Sequence, residues 1–387
     1  SSYMHSGGEF TTLGDHIYFN AYGPLGFELY RTDSTTGSIQ MVRDIYPGPG
    51  SSRPEMLTAF EDKLYFFAYE PIHGTTLWKS DGTALGTVPA VDPAQGVHAY
   101  PSSNLATTTN GLFFIATVDG SLRVAMTDGS SSEATVLADY TVQMIRLISL
   151  RDRVYFMANR GSDPMVMWST DGTEPATQPA LAATTAGTTA SITWLAEFNG
   201  SIYFQGTDGI NTGLWTVQDF SEPATFLGSV TADFDGGFVE YNGAVYFGAR
   251  VTGDSSNFAL WKTDGTQGGT SLVKNLQLDA GRRLKDLSVV GNHLVFRAGI
   301  AGLDFDFDAP VWTSDGTGPG TMPLLPSWVQ GGASLVVVDG IAYFDKYDAA
   351  TGRELWQTDG SAAGTTLTVD VAPGLTSSSP EGLTVVG

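Results

Sequence analysis

The sequence contains no cysteine and few basic residues, and both shortages exclude classes of function. Because no disulfide can form, cysteine gives no evidence on export. The 387 residues include 41 Asp and Glu but only 19 Lys and Arg, a formal net charge of -22. Binding to nucleic acid or to anionic membranes needs clustered cations, so neither is expected as a partner. No apolar run approaches the length of a membrane span, so membrane insertion is not expected.

Helical periodicity and catalytic motifs are also missing. No segment sustains a 3.6-residue amphipathic period, so we expect minimal helix. The sequence has no His-Glu-x-x-His, Gly-x-Ser-x-Gly or phosphate-binding motif. Its five histidines are scattered, with no pair at metal-ligand spacing: His5, His16, His73, His98 and His293. No catalytic residue can therefore be named, and the sequence favours a protein that is not an enzyme.

What the sequence does contain is a motif that returns about every 46 residues. Its first half is an aromatic strand, found at Tyr18-Phe19, Tyr65-Phe66, Phe113-Phe114, Tyr155-Phe156, Tyr203-Phe204, Tyr246-Phe247, Val295-Phe296 and Tyr343-Phe344. Its second half carries a tryptophan, at Trp78, Trp168, Trp215, Trp261, Trp312 and Trp356. An aspartate follows, at Asp33, Asp81, Asp128, Asp171, Asp264, Asp315 and Asp359. Such a period is typical of propellers and solenoids.

Each copy reads as four short antiparallel strands. In the sixth copy we predict strands at residues 237–241, 244–249, 259–263 and 271–274. Asn242-Gly243 supplies the two positive-φ positions of a two-residue hairpin between the first two strands. Asp264-Gly265-Thr266 makes the hairpin between the last two strands, and a polar loop of variable length joins the middle pair.

A single four-stranded sheet cannot bury both faces, so the copies must stack on one another. We predict an all-β fold, a β-propeller of eight four-stranded antiparallel blades over residues 9–387. A seven-bladed ring with an extra unit and an open solenoid are the alternatives. The aromatic residues are expected to fill the space between adjacent blades. Residues 1–8 are expected to be a flexible lead-in left by cloning.

The first-strand pattern occurs a ninth time, at residues 382–386. Two explanations are open. The final strand could close the ring and displace the first strand, or the polypeptide could continue into further repeats beyond Gly387.

The repeat resembles that of the bacterial ELWxxDGT repeat proteins. Residues 354–360 read Glu-Leu-Trp-Gln-Thr-Asp-Gly, and related strings occur at 77–83, 167–173, 260–266 and 311–317. The segments 42–48 and 369–374, each followed by Ser-Ser-x-Pro, match the linker between copies. The resemblance covers nearly the whole chain and implies a secreted or cell-surface protein, but it implies no established activity.

The repeated residues are predicted to be architectural. One aspartate per turn offers too few oxygens for calcium, so Asp-Gly-Thr is interpreted as a turn device. A tryptophan at a fixed place in every repeat is expected to pack rather than to stack on a sugar. Ligand-binding candidates are therefore residues without an evident structural role: Trp328 between blades, His73 in a variable loop and His98 in an inter-blade connection.

Calcium is the one candidate cofactor. Asp304, Asp306 and Asp308 alternate with two phenylalanines in the seventh copy and resemble the start of a calcium loop. No glycine or late glutamate follows at the EF-hand spacing. Asp233 and Asp235 form a second, weaker acidic loop.

A rigid repeat scaffold with variable polar loops favours binding over catalysis. We therefore predict a non-enzymatic, extracellular or cell-surface adhesion module, monomeric, whose ligand is a surface polysaccharide or a cell-surface protein. A glycosidase or lyase with its site at the channel mouth is one alternative. A structural spacer within a larger surface protein is the other.

Overall fold

The computed structural model describes residues 10–33, 38–100, 103–137, 140–142, 147–160, 166–173, 177–179, 194–218, 222–253, 258–276, 282–300, 310–324 and 335–378. Within these ranges the chain is almost entirely β-structure, with one short 3₁₀ helix, η1 (Pro93–Gln95). It divides into two compact units, Ser1–Ala182 and Ala183–Gly387.

The first unit contains four antiparallel sheets. Sheet 1 consists of β1 (Phe10–Leu13), β2 (His16–Gly23), β3 (Gly26–Asp33) and β4 (Ile39–Arg43). Sheet 2 consists of β5 (Glu55–Phe60), β6 (Lys63–Glu70), β7 (Gly74–Ser80) and β8 (Val88–Pro89). Sheet 3 consists of β9 (His98–Ala99), β10 (Ala106–Thr108), β11 (Gly111–Val118), β12 (Ser121–Thr127) and β13 (Thr135–Val136). Sheet 4 consists of β14 (Tyr140–Val142), β15 (Ile148–Leu150), β16 (Arg153–Arg160), β17 (Val166–Thr170) and β18 (Gln178–Pro179).

The second unit contains four further antiparallel sheets. Sheet 5 consists of β19 (Trp194–Phe198), β20 (Ser201–Thr207), β21 (Thr212–Val217) and β22 (Thr225–Gly228). Sheet 6 consists of β23 (Val230–Tyr241), β24 (Ala244–Val251), β25 (Ala259–Thr263) and β26 (Ser271–Asn275). Sheet 7 consists of β27 (Arg282–Val290), β28 (His293–Ile300), β29 (Val311–Ser314) and β30 (Met322–Pro323). Sheet 8 consists of β31 (Val336–Val338), β32 (Ile341–Asp348), β33 (Gly352–Thr358) and β34 (Thr366–Val369).

Each sheet is a meander in which strands pair in sequence order, and in sheets 3 and 4 the first strand is formed by two short segments. The predicted fold class, all-β with propeller blades of four antiparallel strands, is confirmed, and the described residues form eight such sheets. The third strand of the sixth copy begins and ends at the predicted residues. Its first strand is longer than predicted, because β23 already begins at Val230. The ninth first-strand pattern, at 382–386, lies outside the described residues.

The core of each unit is built from the aromatic pair of the second strand. Neighbouring residues of a strand point to opposite faces, so the two rings of a pair serve different neighbours. Tyr65 of sheet 2 packs with Leu112 and Phe114 of sheet 3, whereas Phe66 packs with Tyr18 of sheet 1. Equivalent clusters join sheets 3 and 4, 5 and 6, 6 and 7, and 7 and 8. The predicted packing of aromatic residues between successive blades is therefore confirmed for these pairs of sheets.

The tryptophan of the third strand lies directly opposite the phenylalanine of the second. Phe204 pairs with Trp215 and Phe296 pairs with Trp312 in the strand register. Their rings stack at centroid distances of 6.4 and 6.2 Å with interplanar angles of 12° and 8°. Direct cross-strand aromatic pairs stabilise a sheet, so the two halves of the sequence motif form one packing unit.

The aspartate of the motif organises the turn between the third and fourth strands. In sheet 2, Asp81 Oδ1 accepts hydrogen bonds from the backbone N–H and the hydroxyl of Thr83, both at 2.8 Å. The Thr83 hydroxyl in turn accepts the N–H of Gly86 at 2.9 Å. The same aspartate-to-Thr/Ser contact recurs at Asp128, Asp171, Asp264, Asp315 and Asp359. The carboxylate thus satisfies its own turn, as an architectural role requires.

The glycine of the turn lies in contact with the tyrosine of the preceding sheet. Gly82 has φ +88°, and a Cβ on this residue would run into Tyr18 Oη of sheet 1. A Cβ on Gly129 would lie 2.5 Å from Tyr65 Oη, and a Cβ on Gly316 would lie 2.5 Å from Tyr246 Oη. Tyr246 also donates its hydroxyl proton to the carbonyl of Gly316 at 3.3 Å. The aromatic strand of one copy therefore needs the glycine of the next.

Replacing Gly82 with alanine tests this contact. Both Gly82 and Gly74 have positive φ, but space around Gly74 is open. Gly74→Ala should lower the free energy of unfolding by about 1–2 kcal/mol, the cost of a left-handed alanine. Gly82→Ala should cost about 1–3 kcal/mol more, because the methyl group overpacks against Tyr18. Urea denaturation measures both, and equal losses in the two variants would contradict the contact.

The turns also predict acid sensitivity. Hydrogen bonds from the hydroxyl and N–H of Thr266 hold the pKa of Asp264 below its ordinary value of 3.8. A lowered folded-state pKa gives stability that is present above pH 3.8 and is lost as pH falls through the lower value. Asp264→Asn removes the titrating group, so its stability deficit relative to wild type should shrink below pH 3.8. Denaturation midpoints between pH 6 and pH 2.5 measure this, and a constant deficit would contradict it.

Candidate functional site

A buried glutamate fixes the segment that joins sheets 1 and 2. Glu28 on β3 is fully buried, and Ser52 donates both its N–H at 3.0 Å and its hydroxyl at 2.6 Å to the carboxylate. The N–H groups of Ile45 and Tyr46 donate to the same carboxylate at 3.1 and 3.4 Å. Four donors on one side chain thus hold both ends of the joining segment, residues 44–54.

Main-chain contacts dock the same segment on both sheets. Ser52 accepts the N–H of Tyr69 on β6 at 2.7 Å, and Arg53 donates its N–H to Phe27 on β3 at 3.1 Å. Asn20 of β2 donates its amide to the carbonyl of Pro54 at 2.9 Å. Residues 44–54 therefore form a rigid wall rather than a free connection.

A cleft of about 530 Å³ opens beside this wall. Tyr46 and Tyr69 form one side, with ring centroids 5.8 Å apart and an interplanar angle of 22°. The remaining lining residues are Gly50, Ser51, Ser52, Arg53, Glu55, Phe67 and Thr75. The volume lies in the range of small-ligand sites, and the lining combines aromatic rings with a few polar groups, as such sites do.

Glycine is needed at position 50 because the loop folds back on its own tyrosine. A Cβ there would overlap the ring of Tyr46. The ring is thus seated against the backbone of Gly50 and stacks near Tyr69. The orientation of Tyr46 in the cleft is set by the loop before any ligand arrives.

Among the residues that the structure describes, Arg53 is the one cation that lines the cleft. It is exposed, and its backbone has φ +46°, a left-handed conformation that is uncommon for a residue other than glycine. Its guanidinium makes no hydrogen bond or ion pair with any residue that the structure describes. Strained backbone of this kind concentrates at functional sites.

The buried glutamate and the groups that donate hydrogen bonds to it, together called the clasp, occur twice, at Glu28 and at Glu354. The pKa of the glutamate is shifted in opposite directions in the two copies. Glu354 on β33 accepts the Ser378 hydroxyl and the N–H groups of Ser378 and Val371, as Glu28 does in sheet 1. Burial raises the pKa of Glu28, whereas hydrogen bonds led by the Ser378 hydroxyl lower the pKa of Glu354. The clasp is shared, but Ala372 and Ser379 stand where the first copy has Tyr46 and Arg53. Tyr46 and Arg53 are therefore particular to the first copy of the linker.

Of the histidines predicted to bind ligand, only His73 lies near the cleft. It belongs to the hairpin between Tyr69 and Thr75, where the Glu70 carboxylate accepts its N–H at 2.6 Å and contacts its ring. His98 is exposed on β9, paired with Thr117 of sheet 3, and so is part of a strand rather than of a connection. The structure does not bring the two histidines into one site.

The residues predicted to bind a metal ion have two different outcomes. Asp304, Asp306, Asp308 and the ligand candidate Trp328 lie outside the described residues and stay predictions. Asp233 and Asp235 belong to β23 and not to a loop, which corrects that expectation: the strand continues across them with a register shift between Asp233 and Phe238. Asp233 is buried, with Arg283 Nη1 at 3.6 Å from its carboxylate.

Across the described ranges, no group of three or more His, Asp or Glu side chains is placed to hold a metal ion. Calcium binding thus stays a prediction.

The cleft residues themselves were accessible to sequence analysis only in part. The strings Glu-Leu-Tyr and Glu-Leu-Trp and the Ser-Ser-x-Pro linkers are visible in the sequence, but nothing in their order shows that glutamate clasps serine. Substitutions within a matched linker, such as Arg53 for serine and Tyr46 for alanine, are the signal that could have identified the site.

No family model matches the sequence, and no curated protein matches it. The ELWxxDGT resemblance therefore stays a prediction. Several solved structures are similar to the chain. A prolyl endopeptidase matches with TM-score 0.47 and 12% identity, over 93% of this chain and 49% of that one. A puromycin-hydrolyzing peptidase of Mycobacterium tuberculosis matches with TM-score 0.44 and 13% identity, over 87% of this chain and 57% of that one.

A puromycin hydrolase matches with TM-score 0.40 and 14% identity, over 92% of this chain and 58% of that one. The chain thus spans about half to three fifths of the length of these structures. Among the residues that the structure describes, no helix is both long enough and apolar enough to cross a membrane.

These comparisons correct the predicted function. The sequence predicts a non-enzymatic adhesion module for surface polysaccharide or protein, with a carbohydrate-active enzyme and a spacer as alternatives. The adhesion prediction is contradicted, since the matched structures are a prolyl endopeptidase and puromycin-hydrolyzing enzymes rather than adhesion proteins.

Replacing Glu28 tests the clasp that builds the cleft wall. Glu28→Gln keeps the shape but puts an amide donor against the N–H of Ile45 or of Ser52. One buried donor is left unsatisfied, which should lower the free energy of unfolding by about 1–3 kcal/mol. Glu61→Gln, at an exposed turn of sheet 2, is the matched control and should change stability little. Equal denaturation midpoints for the two variants would contradict the clasp.

Proposed function

We propose that this chain is a peptidase-associated propeller that binds a peptide segment in the cleft of Tyr46, Arg53 and Tyr69. The observation that carries the proposal is the pair of stacked rings, Tyr46 and Tyr69, beside the rigid wall of residues 44–54. A peptide alternates apolar side chains with hydrogen-bonding amides, and the cleft offers both kinds of partner. The stacked tyrosines present ring surface, and the hydroxyls of Ser51 and Thr75 present polar groups.

The construction of the wall supports binding with little loss of entropy. Glu28 holds residues 44–54 by four hydrogen bonds, and Gly50 seats the ring of Tyr46. Tyrosines immobilised in advance lose less conformational freedom when a ligand arrives, which favours affinity. Tyrosine is also among the residues enriched at binding hot spots.

The ELWxxDGT resemblance supports a further part of the proposal, that the propeller acts outside the cell or at its surface. The predicted monomeric state is kept as part of the proposal. On this proposal peptide binding is independent of the calcium predicted at Asp304, Asp306 and Asp308. The described cleft lining has one carboxylate, Glu55, which offers too few oxygens to hold calcium. Peptide binding should therefore persist in EDTA.

Replacing each of the two cleft tyrosines with alanine tests the proposal. A pool of short peptides of mixed sequence is titrated into the purified chain by calorimetry, and the tightest binder is carried into the variants. Tyr46→Ala and Tyr69→Ala should each weaken binding about tenfold or more, as loss of an aromatic hot spot does. Tyr22→Ala removes another exposed tyrosine, one that contacts Phe27 and not the cleft, and is the matched control.

The control should bind as wild type does. A pool in which no peptide binds, or a binder that all three variants bind equally well, would contradict the proposal.

A further inference from the structure

We propose that Arg53 captures a carboxylate of the bound peptide, so that the cleft selects peptides with a free carboxyl terminus or an acidic side chain. This inference rests on the proposed function, since it names the class of peptide that the cleft takes. A guanidinium offers five N–H donors in a planar fork that fits a carboxylate through two parallel hydrogen bonds. The Arg53 guanidinium donates no hydrogen bond to any residue that the structure describes.

The neighbouring Ser51 adds a second kind of donor. Its Oγ accepts the N–H of Phe27 at 3.0 Å, which leaves the hydroxyl proton for another acceptor. Ser51 and Arg53 lie two residues apart on the same wall of the cleft. An anionic oxygen in the cleft can therefore meet a charged fork and a neutral hydroxyl together.

The backbone of Arg53 is held in place although its conformation is unfavourable. Its N–H donates to Phe27, and its neighbours Ser52 and Pro54 are fixed by Glu28 and Asn20. A glycine would adopt φ +46° without steric cost. The arginine thus occupies a position where the local backbone conformation alone favours glycine.

The negative net charge of the chain limits where in the cleft a peptide carboxylate can bind. The protein carries 41 acidic and 19 basic residues, so most of its surface repels an anionic peptide. Glu55 also lines the cleft and lies two residues from Arg53. A carboxylate is therefore expected to bind at the Arg53 end, and removal of the Glu55 charge should strengthen that binding.

The test compares one peptide in three forms. The first has a free carboxyl terminus, the second is amidated, and the third is amidated but contains an internal aspartate. Binding is measured by fluorescence anisotropy. Wild type should bind one of the two carboxylate-bearing forms at least about tenfold more tightly than the plain amide, as a charge-assisted bidentate contact does. Preference for the first form assigns the terminal carboxylate, and preference for the third assigns an acidic side chain.

Variants then assign the contact. Arg53→Gln should reduce the affinity for the preferred form to that for the plain amide, which both proteins should bind equally. Glu55→Gln should strengthen binding of the carboxylate form only. Lys274→Gln, on β26 of the second unit, removes one positive charge as Arg53→Gln does. It should change neither the affinity for the carboxylate form nor the affinity for the plain amide.

Arg53→Gly separates recognition from folding. Glycine relieves the left-handed strain, so the variant should be at least as stable to heat as wild type while its preference for the carboxylate is lost. If wild type binds all three forms equally, the carboxylate inference is wrong and peptide binding stands. If no form binds, the proposed function itself fails.

Discussion

The contact on which the rest of the structure depends is the one between an aromatic strand and the glycine turn of the next sheet. Tyr18 reaches the turn at Gly82, Tyr65 the turn at Gly129 and Tyr246 the turn at Gly316. Because the residue after each tyrosine points to the opposite face, one dipeptide ties a sheet to both of its neighbours. Apolar burial supplies the affinity between sheets, and the turn sets their register.

That contact explains why the sequence motif has two halves that are far apart in the repeat. The aspartate closes its own turn by accepting from Thr83 and its counterparts. This closure presents the glycine to the tyrosine of the preceding copy. Neither half has its full role within a single repeat, so both must recur together.

The blade architecture could be predicted because it follows from periodicity. Strand alternation, Asn-Gly and Asp-Gly turns and the regular strand motif are local signals that recur along the chain. Where the tertiary structure decides, prediction failed: Asp233 and Asp235 look like loop residues, yet β23 runs through them with a register shift. Asp233 and Phe238 pair with neighbouring residues of β24, so the strand continues on both sides of residues 234–237, which lie at the register shift.

The cleft could not be predicted, since its parts meet only in three dimensions. Glu28 and Ser52 are 24 residues apart, and no periodic pattern indicates that they bond. What the sequence does show is that the two linkers agree at Asp44, Pro47 and Ser52, and differ at Tyr46 and Arg53. Ser52, which is shared, donates to the buried glutamate, whereas Tyr46 and Arg53, which differ, supply the aromatic ring and the cation of the cleft.

A crystal structure of the chain with its tightest-binding peptide tests the account most directly. We predict peptide density between the rings of Tyr46 and Tyr69 and the side chain of Arg53, with a peptide carboxylate within hydrogen-bonding distance of the guanidinium. Residues 44–54 should keep their conformation, because Glu28 holds them before binding. Density elsewhere on the chain, with this cleft holding only water, would contradict the account.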